Sequence, residues 1–254
     1  MKSFAAICAA TAALAITGPA QAQPAAKESQ PQAREILMRM AAYLGGAPAF
    51  SVNVRSGYDA VQKSGQKIEF GEIRRVTLSR PDKLRMEGER SDGTKTLTVF
   101  TGTEIVRFDA ARNVYATAPQ PGGIDASIAH FINDLGMRLP LSPLLLTRLP
   151  AEFEARVKSV DYVEKTSILG APAHHLAART DTVDFQVWVA DGDKPAPLRV
   201  VITYRKAAGQ PQFWAQFSDW NLAPAIGDAT FTPQLPAGAQ QVEFATGQTK
   251  RTKR

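Results

Sequence analysis

Residues 67–109 read KIEFGEIRRVTLSRPDKLRMEGERSDGTKTLTVFTGTEIVRFD, and the period of the apolar positions in this stretch decides the fold. Ile68 and Phe70, Val76 and Leu78, Leu84 and Met86, Leu97 and Val99, and the run Ile105 to Phe108 recur at or near every second residue. Alternation of this kind sends side chains to opposite faces of a strand. The runs are parted by Pro81-Asp82, Asp92-Gly93 and Thr101-Gly102, of which Asp92-Gly93 is the strongest tight-turn signal. Upstream, Phe50, Val52 and Val54 carry the same period before Ser64-Gly65, and downstream Ala111-Arg112-Asn113 closes the series. These features predict an antiparallel meander with one apolar face that must be covered.

On the N-terminal side, Ile36, Leu37, Met40, Tyr43 and Leu44 recur at helical spacing, with Pro31 suited to a first turn and Gly45-Gly46 to the stop. On the C-terminal side the period changes. Ile124, Ile128, Phe131, Ile132 and Leu135 mark a helix, and Leu141 to Leu149 is an apolar cluster broken by Pro140, Pro143 and Pro150. Strand patterns then return in 157–166, 174–180, 183–190, 198–204 and 212–221, with turns at Leu169-Gly170-Ala171, Asp191-Gly192-Asp193 and Ala208-Gly209. The order is helix, strands, helical insert, strands, and the fold class is mainly β (α+β).

The first residues have the parts of a secretory signal: Lys2, an apolar run from Phe4 to Ile16, the breakers Gly18-Pro19 and the small-residue site Ala20-Gln21-Ala22. Cleavage after Ala22 is expected, and the apolar run is shorter than the roughly 20 residues that span a bilayer. Cys8, the single cysteine, lies inside that run and not at the cleavage point, so the chain does not read as a lipoprotein and the mature protein has no thiol for disulfide, nucleophile or metal. Residues 23–30 read as a flexible leader and 31–245 as one domain with the insert at about 123–156. Residues 246–254, which include Lys250, Arg251, Lys253 and Arg254, read as a basic disordered tail. The formal charge is +6; for an exported protein this points to anionic lipid surfaces and not to nucleic acid.

Signals for catalysis are missing. The chain has no G-x-S-x-G elbow, no G-x-G-x-x-G and no Gly-Lys-Ser/Thr. His174 and His175 are adjacent on an expected strand and so face opposite ways; with Asp181, Asp184 and His130 they match no metal-ligand spacing. The expectation is a non-enzymatic protein without metal or cofactor.

Four segments carry a family resemblance: the first helix with Phe50-Ser51-Val52-Asn53-Val54; Glu69-Phe70-Gly71-Glu72 through Ser79-Arg80-Pro81-Asp82-Lys83-Leu84-Arg85-Met86; Thr98 to Arg107; and Ala229-Thr230-Phe231-Thr232-Pro233 with Pro236-Ala237-Gly238. They resemble the superfamily of lipoprotein-localisation factors, the LolA and LolB carriers, and a group of uncharacterised predicted periplasmic proteins on that fold. The resemblance implies a half-open antiparallel β-barrel of about 10–11 strands around an apolar cavity, with a helical lid. It also implies that Arg80, just before the turn proline, latches the lid to backbone, a task suited to the five-donor guanidinium fork. The Pro-rich insert and the basic tail depart from the carriers' pattern and leave the cargo and delivery partner open.

Aromatics crowd the last strands, with Phe213 and Phe217 expected on one face and Trp214 and Trp220 on the other. They could line a cavity or fill a barrel. The residues expected to line a ligand cavity are Val52, Val54, Leu97, Val99, Trp188 and Phe217 from the sheet, with Ile128, Ile132 and Leu145 from the lid. The functional expectation is a periplasmic, monomeric carrier for a lipid, a lipoprotein acyl chain or another apolar ligand. The alternative is an envelope sensor or interaction protein that takes a protein partner through the same fold.

Overall fold

The computed structural model describes residues 30–244. The expected signal peptide, nearly all of the leader and the basic tail lie outside these residues. Helix α1 (Gln30–Gly45) starts one residue before Pro31 and buries Ile36, Leu37, Met40, Ala41 and Leu44 on one side. It ends at the glycine pair, where Gly46 N–H donates to Ala42 O at 2.9 Å. Gly45 is needed for a close approach: a Cβ there would lie 2.9 Å from Thr147 O of the insert.

Six strands follow: β1 (Ala49–Val61), β2 (Lys67–Ser79), β3 (Lys83–Arg90), β4 (Lys95–Phe100), β5 (Glu104–Asp109) and β6 (Val114–Pro119). They form the expected meander, each antiparallel to the next. The insert consists of α2 (Ile124–Asn133), a 3-10 turn (Ser142–Leu145) and α3 (Leu149–Arg156). A second run then comprises β7 (Ser159–Ile168), β8 (Ala171–Arg179), β9 (Val183–Ala190), β10 (Pro197–Tyr204) and β11 (Gln212–Asn221). β11 pairs with β1 and joins the two halves into one twelve-stranded sheet of order β12-β6-β5-β4-β3-β2-β1-β11-β10-β9-β8-β7. The twelfth strand, β12 (Gln240–Gln241), is a two-residue addition beside β6 that the strand pattern did not announce. The sheet stays open between β12 and β7, so the architecture is a half-barrel with helices on its concave side.

The main core fills that concave side. Leu78, Leu84, Phe100 and Ile105 of the sheet, Leu44 of α1, and Ile124, Phe131 and Leu149 of the insert are all buried in one cluster. Phe100 and Phe131 meet edge to face at 5.5 Å; each such fully buried side chain contributes about 1.5–3 kcal/mol. α1 packs on β7 to β9 and on α3. A second, smaller apolar layer lies on the convex side. There Val99 pairs with Val106, both are buried outside the main cluster, and Arg85 Nη1 donates to Thr230 O of the 3-10 turn Asp228–Phe231. The C-terminal segment thus crosses the outside of β3.

A candidate ligand-binding cavity

The inner face of β1 alternates Val52, Val54, Ser56 and Tyr58 along one side of a cavity of about 1030 Å³. Val76 and Met86 continue the wall across β2 and β3, and Phe213 and Phe217 extend it on β11. Phe131, Ile132, Met137, Leu139, Leu144 and Leu145 of the insert close over it. A second cavity of about 450 Å³ lies on the other side of the insert, against β9 and β10, lined by Met40, Phe153, Phe185, Val187 and Ile202 among others. Pro140, Leu141, Leu144 and Tyr204 border both spaces. The segment 140–144 is therefore a partition between two apolar chambers.

Of the residues expected to line a cavity, Val52, Val54, Ile132, Leu145 and Phe217 stand on the larger one. Ile128 is buried in α2 and belongs to the main core, outside that lining. Leu97 and Val99 need correction. Thr96 and Thr98 take the inner face of β4, so the period-two pleat sends Leu97 and Val99 to the convex layer. Trp188 is also on the outside, because Val187 and Val189 fill the inner face of β9. It stacks on His175 at 4.1 Å, and Arg199 lies 5.7 Å from the Trp188 ring and 5.4 Å from Trp214. Trp220 parts from Trp214. A bulge in the β1–β11 register, with Asp219 at φ 57, turns Trp220 inward, where it packs on Phe50 and Phe217.

Arg80 sits where β2 ends. Its Nε donates to Ala47 O at 2.9 Å, Nη1 to Leu145 O at 3.0 Å and Thr147 Oγ1 at 2.8 Å, and Nη2 to Leu44 O at 3.3 Å and Leu146 O at 3.4 Å. One side chain thus joins the end of α1 to the 3-10 turn of the insert. Burial lowers its pKa, against which Asp125 acts. Asp125 itself accepts Thr147 N–H at 2.8 Å and Arg148 N–H at 3.2 Å, tying α2 to the start of α3. Ile124 N–H donates to Pro81 O at 2.7 Å, which fixes α2 to the β2–β3 turn.

One feature of the cavity was not foreseen. Arg74, Arg90 and Arg107 line its β2–β5 end together with Thr96 and Thr98. Arg107 Nη1 donates to Thr98 Oγ1 at 2.8 Å, and Arg74 pairs with Glu72. Burial, and then the like charges of Arg74 and Arg90, lower the Arg107 pKa. The histidines lie elsewhere. His174 contacts Tyr162 Oη at 3.2 Å and Asp191 at 3.0 Å, His175 contacts Gln186 at 2.9 Å, and His130 contacts Asp134 at 2.7 Å.

Residues 33–245 match a family model described as predicted periplasmic protein (DUF2092). No curated protein matches the sequence. Among solved structures, the chain is similar to an uncharacterised conserved protein from Thermus thermophilus, with 15% identity, 84% of this chain and 99% of that chain covered, and a TM-score of 0.49. It is similar to the lipoprotein LppX of Mycobacterium tuberculosis, with 13% identity, coverage of 78% and 99%, and a TM-score of 0.49. A LolA superfamily protein from Nitrosomonas europaea gives 14% identity, coverage of 79% and 97%, and a TM-score of 0.43. Among the described residues no helix is long and apolar enough to cross a membrane.

Proposed function

Because the chain belongs to the DUF2092 family of predicted periplasmic proteins, we propose that it is a periplasmic binding protein that shelters an apolar chain, from a lipid, a lipoprotein or a similar molecule, in the cavity under its helical insert. The observation that carries this reading is a space of about 1030 Å³ walled by apolar side chains on both the sheet and the insert. That volume is just above the roughly 300–1,000 Å³ of small-molecule sites. Removal of an acyl chain from water is favourable by about 0.8 kcal/mol per methylene, so a chain of modest length suffices for firm binding. The insert acts as lid, with Arg80 as the latch between it and α1, and the partition at 140–144 can yield space toward the second chamber.

Uptake of a fluorescent fatty acid by the purified protein tests the reading. Saturable binding with emission typical of a dry site, reduced by Ile132→Asp, is the expected result; no uptake by the folded protein would overturn it. A protein-partner role has one feature in its favour, the stacked pair Tyr58 and Phe70, 5.8 Å apart and 48% and 42% exposed at the outer end of the β1–β2 hairpin. Exposed aromatics in contact with one another suit a docking edge. Co-purification of an envelope protein that is lost on Phe70→Ser would favour that role.

A further inference from the structure

The wall of the large cavity changes character across β2 to β5, and the strand register shows how. Val76, Met86, Thr98 and Arg107 form one cross-strand row, Arg74, Gly88 and Thr96 the next, and Glu72 and Arg90 the third. All nine side positions face the cavity. The apolar floor therefore passes within two rows into arginine and threonine. Gly88 sits at the centre of this patch, where a Cβ would lie 2.6 Å from Glu72 Oε1 and 2.9 Å from Thr96 Oγ1, so the missing side chain is what leaves room between the charged groups.

Charge is not balanced there. Four arginines line the cavity, Arg74, Arg90, Arg107 and the insert's Arg138, against the two carboxylates Asp59 and Glu72. Glu72 is engaged by Arg74, and Asp59 accepts Gln212 N–H at 2.9 Å and faces Lys67 at 3.8 Å. Among the described residues, no carboxylate forms an ion pair with Arg107 or Arg90; the hydrogen bond of Arg107 goes to the Thr98 hydroxyl and uses one of the five donors that a guanidinium offers. An arginine stays charged in a protein, and burial followed by the like charges of Arg74 and Arg90 works against the Arg107 guanidinium, with the carboxylates of Glu72 and Asp109 offsetting only part of this. Guanidinium forks match phosphate and carboxylate oxygens two at a time.

From this arrangement we infer that Arg107, with Arg74 and Arg90, forms an anion subsite that takes the phosphate or carboxylate head of an amphiphile whose chain lies along Val54, Val76 and Met86. The inference rests on the reading of the cavity as an apolar-chain site and adds the class of its ligand: single-headed anionic amphiphiles over neutral ones. Thr96 and Thr98 supply hydroxyl donors beside the arginines, and the exposure of Arg90 at this end leaves the head near water while the chain is buried.

The test is competition against a neutral fluorescent acyl probe by palmitate, by an alkyl phosphate of the same chain length, by monopalmitoylglycerol and by inorganic phosphate alone. The anionic amphiphiles should bind at least about tenfold more tightly than the neutral one, as charge-assisted hydrogen bonds allow. Arg107→Gln should bring that ratio close to one, and Arg107→Lys should keep part of it. Should Arg107→Gln unfold, Arg90→Gln, at an exposed position, should still lower the ratio about threefold. Equal binding of neutral and anionic amphiphiles by the native protein would sink the head-group subsite and leave the carrier reading intact. Absence of all amphiphile binding would sink both. Inorganic phosphate bound as tightly as the amphiphiles would mark a free-anion site and overturn the assignment to a head group.

Discussion

Two arginines on the concave side of one sheet are placed in opposite circumstances. Arg80, at the insert end, meets four backbone carbonyls and a hydroxyl, from Leu44 and Ala47 at the end of α1 and from residues 145–147 of the insert. Arg107, at the β2–β5 end, donates to one threonine hydroxyl and lies beside two further arginines, whose charges Glu72 and Asp109 only partly offset. Burial lowers the pKa of both, yet the first has a full set of acceptors and the second does not. The difference separates an arginine with backbone acceptors for its whole fork from the one to which we assign an anion. The two arginines mark different ends of the concave side, one where Arg80 ties the end of α1 to the insert and one where arginines line the cavity.

The largest effect is expected at Arg80. Arg80→Ala removes a donor from the carbonyls of Leu44, Ala47, Leu145 and Leu146 and should destabilise the protein by about 3 kcal/mol, read as a fall in denaturation midpoint. Hydrogen exchange should accelerate first in 139–148 rather than in the sheet. A loss spread evenly over the whole domain would mean that Arg80 supports the fold but does not fasten the lid. Next in size is the contrast between the inner and outer faces. Ile132→Asp, on the half-buried cavity side of α2, should weaken binding of an acyl probe about tenfold or more, since an unpaired carboxylate resists burial. Trp188→Ser, on the convex face, should change it less than about twofold.

The smallest effect belongs to the far strands, where charges are paired at the surface. Asp184 is held below the usual carboxylate range by hydrogen bonds from Arg179 and then by the charges of Arg179 and Arg205. Asp191 is shifted the same way by Lys165 and His174. For groups with lowered folded-state pKa, the contribution is present above the unfolded value, about 3.9, and is lost as pH falls through the folded one. The native protein should therefore be slightly more stable than Asp184→Asn at about pH 6, with the gap closing toward about pH 3. A gap that widens in acid would reverse the sign and refute the pairing.

Much of the fold is legible in the sequence because most strands of the meander alternate and its turns carry Gly and Asp. Val52 and Val54 could be placed for the same reason: β1 has one apolar face. Leu97 and Val99 could not, because β4 inverts the usual pattern, with threonines inside and aliphatics outside under the C-terminal segment. On β9 both faces are apolar, and only the packing of Val187 and Val189 decides that Trp188 is outside. Trp220 depends on a bulge at Asp219 that no turn residue announces. Arg107 was missed because its polar side read as the solvent side. A signal existed nonetheless: Thr96, Thr98 and Arg107 keep one phase across two strands, opposite to Leu97, Val99 and Phe108. The family match to a group of predicted periplasmic proteins agrees with what the turn motifs resemble.

Whether the cavity houses an apolar chain is decided by native mass spectrometry of the protein purified gently from its source cells, followed by solvent extraction of what it carries. The account predicts a mass above that of the bare chain and an extract that contains an amphiphile. A bare mass that persists after incubation with a total lipid extract would contradict it.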